Sequence, residues 1–429
     1  MLDRQFGLSE HGTSVRTEIV AGVTTFLTMA YIIFVNPSIL ADAGMDRGAV
    51  FTATCLAAAI GTAFMGLYAN YPIALAPGMG LNAYFTYGVV KGMGHSWETA
   101  LGAVFLSGIL FLIVSLTRIR EWVIDSIPLS LKLAIAAGIG LFLAIIGLKT
   151  AGIITASPAT LVTIGDLNRT TVVLAVLGFL VMAALDARKI PGAIIISILA
   201  VTAAAIALGL AKFNGIFSPP PSIGPVLLKM DLAKALEIGL IGIVFTFFFV
   251  DVFDNTGTLV AVAHKAGLVD AEGKLLRINR ALVVDSTSAM VGAALGTSTT
   301  TSYIESASGV NAGGRTGLTA VTVACLFVAA LFLAPLAGTI PAFATAPALV
   351  YVACLMMTSV KSIDFEDATE YVPAIVTIAA MPLTFSIAHG IAFGFITYTG
   401  LKVLTGRWKD LSAAVAVLAV IFVVKFALL

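Results

Sequence analysis

Charge is what this sequence has least of. Only 11% of its 429 residues are Asp, Glu, Lys or Arg while 59% are hydrophobic, against about 25% charged in an ordinary water-soluble domain. Water therefore cannot be the main solvent of its surface, which excludes a soluble globular protein. Cysteine is nearly as scarce. Cys55, Cys325 and Cys354 all fall inside apolar runs without metal-ligand spacing, which argues against a disulfide framework or a bound metal and leaves packing as their role. There are four histidines: His11 and His95 fall in polar joints, His264 near a helix end and His389 at a helix start. Those places suit solvated or capping roles better than proton relay. The net charge is only +1, with Lys and Arg mostly at the ends of apolar runs, so no basic patch points to nucleic acid. The strict apolar–polar alternation of a membrane β-barrel is also missing. The first 16 residues are polar and no cleavage-like site follows the first apolar run, so no leader peptide is expected.

What the chain has instead is apolar runs of spanning length, since a bilayer core needs roughly 20 residues of helix. They cover roughly 18–36, 49–69, 97–117, 129–148, 168–186, 190–211, 238–263, 278–296, 317–337, 343–360, 387–405 and 411–428. Two further stretches fit badly. Residues 72–90 carry Pro72, Pro77, Gly78 and Gly80, and 297–314 is rich in Thr, Ser and Gly; both are expected to run extended first and helical afterwards. Counting each as a crossing gives about 14 segments. Residues 364–386 open with Asp364, Glu366, Asp367 and Glu370 and read as an amphipathic or partly inserted helix.

The two broken stretches look like counterparts. Asn82-Ala83-Tyr84 precedes Thr301-Ser302-Tyr303 by 219 positions, Asn36 precedes Asn255 by 219, and Thr99-Ala100 precedes Thr319-Ala320 by 220. A shared offset at both breaks implies two halves of about seven segments, and an odd number puts the second half in upside down, the inverted-repeat plan of secondary transporters. The positive charges set the orientation. Arg4, Arg16, Arg118, Arg120, Arg188, Lys189, Lys265, Lys274, Arg277, Arg280, Arg315 and Lys361 gather on one side, and fewer lie on the other, among them Arg47, Lys91, Lys149, Lys212 and Lys229. Both termini are therefore expected in the cytoplasm. Trp97, Trp122 and Trp408 sit at run ends and read as interfacial anchors.

Acidic side chains inside spanning segments cost roughly 2.5–3.5 kcal/mol at a helix centre, so each is a candidate for function. Four stand out: Asp251, Asp254, Asp285 and Glu305, with no Lys or Arg in the same runs. Protonation, hydrogen bonds from a solute or polar neighbours must relieve them. Asp251 and Asp254 share one helical face. The plainer alternative for this pair is an interhelical hydrogen-bond cluster, and Asp285 has the alternative of tying its helix to a neighbour. Glu305 follows the β-favouring, hydroxyl-rich run Thr297–Tyr303. An extended piece feeding a half-helix leaves backbone N–H groups unpaired, so the breaks near Asn82 and Tyr303 would offer donors beside these acids. A flat, neutral solute edged with N–H and C=O groups, such as a nucleobase, suits that mixture. Tyr84, Phe85 and Tyr303 could cover its faces, with plain packing as their alternative. No nucleophile–base pair, metal-spaced His/Cys set or phosphate loop appears, so an enzyme is not expected. No soluble stretch is long enough for a signalling domain. An anion transporter or channel of the same architecture is the rival reading, and it would favour a basic or neutral filter.

The motifs also carry a resemblance. The runs Gly22-Val23-Thr24-Thr25-Phe26-Leu27-Thr28-Met29-Ala30-Tyr31 with Asn36-Pro37, Ala76-Pro77-Gly78-Met79-Gly80-Leu81-Asn82-Ala83-Tyr84-Phe85, Phe253-Asp254-Asn255-Thr256-Gly257-Thr258, and Thr299–Ser306 with Gly313–Gly317 resemble the nucleobase-cation symporter-2 superfamily. Within it the chain resembles the AzgA-like purine permeases. That resemblance implies an all-α polytopic membrane protein with a UraA-like fold. It would have about seven plus seven segments, broken helices in the third and tenth, and core and gate domains. The core would comprise 1–117 and 231–337, and the gate 118–230 and 338–429. It implies a purine importer of a bacterial inner membrane, driven by proton symport with an elevator-like core movement, without a cofactor, and forming a homodimer. It places substrate contacts at Asp254, Glu305, Asn82, Ala83, Tyr84, Tyr303, Ser302, Thr301 and Thr28, and proton coupling at Asp254, Glu305, Asp285 and Asp251. Uracil and xanthine members carry Glu where Asp254 stands, so contact details there do not transfer. The Ala-Pro-Gly-Met-Gly form and Val250-Asp251 look closer to the hypoxanthine/guanine subgroup than to the adenine subgroup.

Overall fold

The computed structural model describes residues 2–117, 127–237, 241–269 and 275–427. Arg118, Arg120, Trp122 and Lys274, used above for orientation and anchoring, lie outside the described residues. The principal helices are α1 (Val15–Met29), α2 (Ile32–Ala41), α3 (Arg47–Phe64), α4 (Met79–Ala83), α5 (Trp97–Leu116), α6 (Leu129–Thr150), α7 (Thr170–Ala187) and α8 (Ala193–Ala207). They continue with α9 (Ile241–Lys265), α10 (Ile278–Leu295), α11 (Ser306–Asn311), α12 (Gly317–Ala330), α13 (Ala342–Met357), α14 (Ala368–Leu383), α15 (Ile387–Leu404) and α16 (Ala413–Ala427). Among the described residues nine spans are long and apolar enough to cross a bilayer, α1 with α2 forming one of them, and α8, α14 and α16 are shorter apolar helices. The protein is thus a mostly helical, multi-pass membrane protein.

Several helix starts follow from short polar side chains. Ser14 Oγ accepts from Thr17 N, Asp46 Oδ1 from Ala49 N, Thr316 Oγ1 from Leu318 N and Ser386 Oγ from His389 N, which meets backbone donors that lipid could not satisfy. Two compact units emerge. One holds residues 1–116 and 149–348, the other 117–148 and 349–429.

In the first unit the two broken stretches meet. Strand β1 (Leu75–Pro77) and strand β4 (Thr300–Ser302) pair antiparallel, with Leu75 opposite Ser302 and Pro77 opposite Thr300. The expected order of extended piece and then helix holds in both, since β1 leads to α4 and β4 to α11. The ladder is lengthened by Gly78 N donating to Thr299 O and Tyr303 N donating to Ala74 O, each at 2.9 Å. Backbone that leaves the helical pattern inside a bilayer must be buried in protein, and every residue of both strands is buried. Around the ladder helices approach through small residues. A Cβ on Gly317 would overlap the backbone of Gly66, and one on Gly309 would strike Thr25 and Ala21 on α1.

Two features went beyond expectation in this unit. Residues 154–164 form a hairpin, β2 (Ile154–Ser157) against β3 (Leu161–Ile164), in a stretch not expected to be strand. Glu18 is wholly buried and takes the backbone N–H groups of Arg315, Thr316 and Thr319, so a carboxylate seats the start of α12. Cys55 is buried as expected, whereas Cys325 and Cys354 lie on exposed helix faces.

In the second unit α14 packs on α6, where Ala134 meets Ala374 and Gly138 faces Met381, and on α15, with α16 against α15. The stretch 364–386 contains the 16-residue helix α14, capped by Asp367 and holding Pro373 and Pro382. Buried Lys402 pairs with Glu370 at 2.7 Å and donates to Thr369 Oγ1 at 2.8 Å. Ser130 of α6 and Tyr398 donate to the same Glu370 carboxylate, closing a polar cluster inside the unit.

Candidate functional site

Helix α9 brings Asp251, Asp254 and Asn255 to the ladder, α10 brings Asp285, and Glu305 stands between β4 and α11. Three hydrogen bonds of 2.8 Å stitch them together. Asn255 Nδ2 donates to Asp251 Oδ1, Ser302 N donates to Asn255 Oδ1, and Ser302 Oγ donates to Asp285 Oδ1. Asn255 thus bridges a helix carboxylate and a strand amide, which no Asp or Leu could do at that place. Asp251 and Asp285 are fully buried, and each keeps its second oxygen, Oδ2, without a protein partner among the described residues.

Asp254 and Glu305 behave differently. Asp254 is exposed and close enough for Glu305 to act on its charge. Glu305 is half-buried, and its Oε1 accepts from Tyr31 OH at 2.6 Å. None of the ion pairs among the described residues reaches any of the four acids. The described residues also contain no cluster of three or more His, Cys, Asp or Glu suited to a metal ion.

The other expected residues are placed around this cluster. Asn82 is buried on α4; its amide reaches Pro77 O at 3.4 Å, and its Oδ1 has no protein partner among the described residues. Ala83, Tyr84 and Phe85 are buried, and Tyr84 packs on Phe247 with ring centres 5.0 Å apart. Tyr303 is buried and turns its hydroxyl back to Pro77 O at 2.5 Å, locking the ladder. Thr301 is buried and bonds the neighbouring Ser302 O, while Ser302 is spent on Asn255 and Asp285. Thr28 is half-buried, bonds Thr25 O at 2.8 Å and reaches Glu305 O at 3.5 Å, so it lies beside Glu305. Phe253, beside Asp254, is a partly exposed ring stacked edge-on against Phe249 at 4.6 Å.

Sequence reasoning passed over Tyr31 and left Asn36 and Asn255 without roles. Tyr31 lies at the break between α1 and α2, where a broken helix is itself a signal. The shared offset of Asn36 and Asn255 was the other signal. Both amides serve the same stretch: Asn36 Nδ2 donates to Thr54 Oγ1 and to Thr297 Oγ1, just before β4.

A broken two-strand crossing lined by unpaired acids fits a carrier better than a pore, and comparison with known sequences places it. A family model described as a permease family matches residues 16–393. The chain belongs to this permease family, the nucleobase-cation symporter-2 permeases. It is 51% identical to the adenine permease AdeP of Escherichia coli, over 99% of this chain and 96% of that one. It is 45% identical to the guanine/hypoxanthine permease PbuO of Bacillus subtilis, over 99% of this chain and 100% of that one. Identity therefore runs higher to this adenine permease than to the guanine/hypoxanthine one. Permeases are transporters and not enzymes. In solved structures the fold is shared with the transmembrane domain of a cyanobacterium bicarbonate transporter, BicA, at a TM-score of 0.65 and 17% identity, covering 88% of this chain and 97% of that one. It is shared too with the murine anion transporter Slc26a9 in the inward-facing state, at 0.64 and 10%, covering 90% and 68%. At such identities the likeness concerns fold alone.

Proposed function

We propose that this permease imports purine nucleobases together with a proton. The observation that carries the reading is an exposed Asp254 beside a half-buried Glu305, a pair that would line an open cleft and that no ion pair among the described residues reaches. A purine is neutral and flat, and its ring N–H groups would donate to these carboxylates while its carbonyl or ring nitrogen takes a donor such as Tyr31 or Thr28. An anion would meet repulsion in the same cleft, which sets the anion-carrier reading aside even though the fold neighbours include anion transporters. The relatives' names support a purine on both the adenine and the guanine/hypoxanthine sides.

Proton coupling is supported by the cost of burying two unneutralised acids, Asp251 and Asp285, beside the accessible pair. One charge moving down about 100 mV yields about 2.3 kcal/mol, enough for roughly fortyfold accumulation. In this reading residues 1–117 and 231–337 form a core that carries the base in an elevator-like movement against a gate of 118–230 and 338–429, in a homodimer with both termini in the cytoplasm. The test is uptake into proteoliposomes with labelled adenine, guanine and hypoxanthine, alone and in competition. Glu305→Gln is expected to abolish uphill uptake and its dependence on pH. If that variant takes up purines like the parent, with the same pH profile, the role given to Glu305 is wrong.

A further inference from the structure

Seven buried side-chain oxygens near the junction of α10 with β4 have no protein partner among the described residues: Asn36 Oδ1, Ser288 Oγ, Ser298 Oγ, Thr299 Oγ1, Thr300 Oγ1, Asp251 Oδ2 and Asp285 Oδ2. Roughly 90% or more of buried polar groups are hydrogen-bonded in folded proteins, so a concentration of exceptions marks a place built to hold water. Helix register, one close glycine contact and one hydrogen bond link several of these residues into a track. Asp285, Ser288 and Gly292 recur at three and four residues and share one face of α10. Gly292 has no side chain, and a Cβ there would collide with Thr300 Oγ1 and come within 3.0 Å of Ser298 O. Beyond Ser298, Thr297 Oγ1 accepts from Asn36 Nδ2 at 2.8 Å, which in turn reaches Thr54 Oγ1 at 2.7 Å. The track thus runs from Asp285 toward the Gly296 end of α10, away from the Arg277–Arg280 end.

At its inner end the track meets the two fully buried acids. Asp285 joins Asp251 through Ser302 and Asn255, and the free oxygens of both acids belong to the unpartnered set. The charged groups around them are few. Asp254 acts on both from α9, and Glu305 acts on Asp254 from beside α11. Of the other neighbours, α5 carries only Glu98 in its first turn, α3 only Arg47 at its first residue, and β1 and β4 carry none. Helix α10 itself carries Arg280 near its start and α9 ends on His264 and Lys265, but no ion pair among the described residues reaches either acid.

We propose that protons reach the Asp251–Asp285 pair along this file of Asn36, Ser298, Thr300 and Ser288, on water held by their free oxygens, by a route separate from the cleft of Asp254 and Glu305 that admits the base. The inference rests on the purine–proton reading above and gives the coupling proton a path of its own to the Asp251–Asp285 pair. Each transfer passes a proton from a file water to a carboxylate oxygen and returns it on the other side, so no other reactant is needed.

The decisive variants are Thr300→Val, which keeps the shape of the side chain and removes its hydroxyl, and Ser288→Ala. In proteoliposomes both are expected to keep purine counterflow near that of the parent, because exchange needs no net ion movement. Purine-driven acidification of the lumen should vanish, and uphill accumulation should fall from the roughly fortyfold that one charge supports at about 100 mV toward unity. Thr300→Ser should restore both. Unchanged acidification in both variants, or counterflow that falls in step with it, would overturn the file. A parent protein that neither binds nor exchanges any purine would instead defeat the underlying purine reading, and the file with it.

Discussion

A carboxylate inside a bilayer survives only where something answers its charge, and here neutral donors do so. Asn255 is the pivot, since it gives its amide to Asp251 and its carbonyl to the Ser302 N–H. Asn255→Ala would leave both unmet, at a cost of about 1–3 kcal/mol for each orphaned buried group. The expected outcome is a clearly lowered unfolding midpoint, read by thermal shift in detergent, and a smaller stabilisation by added purine. The four acids were legible in the sequence because charge is so rare inside its apolar runs. Tyr31 and Glu18 were not. A tyrosine among apolar residues looks like packing until its hydroxyl is seen on Glu305, and Glu18 stands at the start of a run, where a solvated headgroup position is the ordinary reading.

At the scale of elements, the broken stretches were readable because proline and glycine punctuate one and β-branched residues fill the other. The hairpin β2–β3 was not, for its turn is Pro158-Ala159-Thr160 and lacks the Asn-Gly or Asp-Gly pair that marks tight hairpins. Nor does the sequence signal that the helix after α4 widens into a π-helical stretch over Tyr84–Gly92. Close approach at Gly317 makes a firm prediction: Gly317→Val drives a side chain into the Gly66 backbone, so folded yield should collapse on size exclusion, overpacking alone costing about 1–3 kcal/mol. The cap of α14 makes a second one, about pH. Thr369 and then Arg407 hold the Asp367 carboxyl at about 2, below its ordinary 3.8. A carboxyl lowered on folding stabilises the fold above its unfolded value and loses that contribution as pH falls through the folded value. Wild-type stability should therefore drop between about pH 4 and pH 2 by a component that Asp367→Asn lacks, as followed by unfolding midpoints across that window.

For the molecule as a whole, the site lies in one compact unit and the Lys402 cluster in the other. Removing one partner of a buried pair costs about 3–5 kcal/mol, so Lys402→Met should lower the unfolding midpoint. Measured on the protein that remains folded, its purine affinity should match the parent, and Glu370→Gln added to it should recover part of the loss. The composition made the membrane class plain, but the pairing of β1 with β4 is a tertiary event with no local trace. That pairing bears on how the protein is made. Strand β1 leaves the ribosome more than two hundred residues before β4, its ladder partner among the described residues. Thr62 can meet the Leu75 N–H and C=O early, but until Tyr303 has emerged Ala74 O and Gly78 N must wait in or beside the lipid without their ladder partners, a state costing several kcal/mol per group. The nascent first half is accordingly a natural client for chaperoning within the membrane, and a chain truncated before β4 should be cleared by proteolysis, not stored.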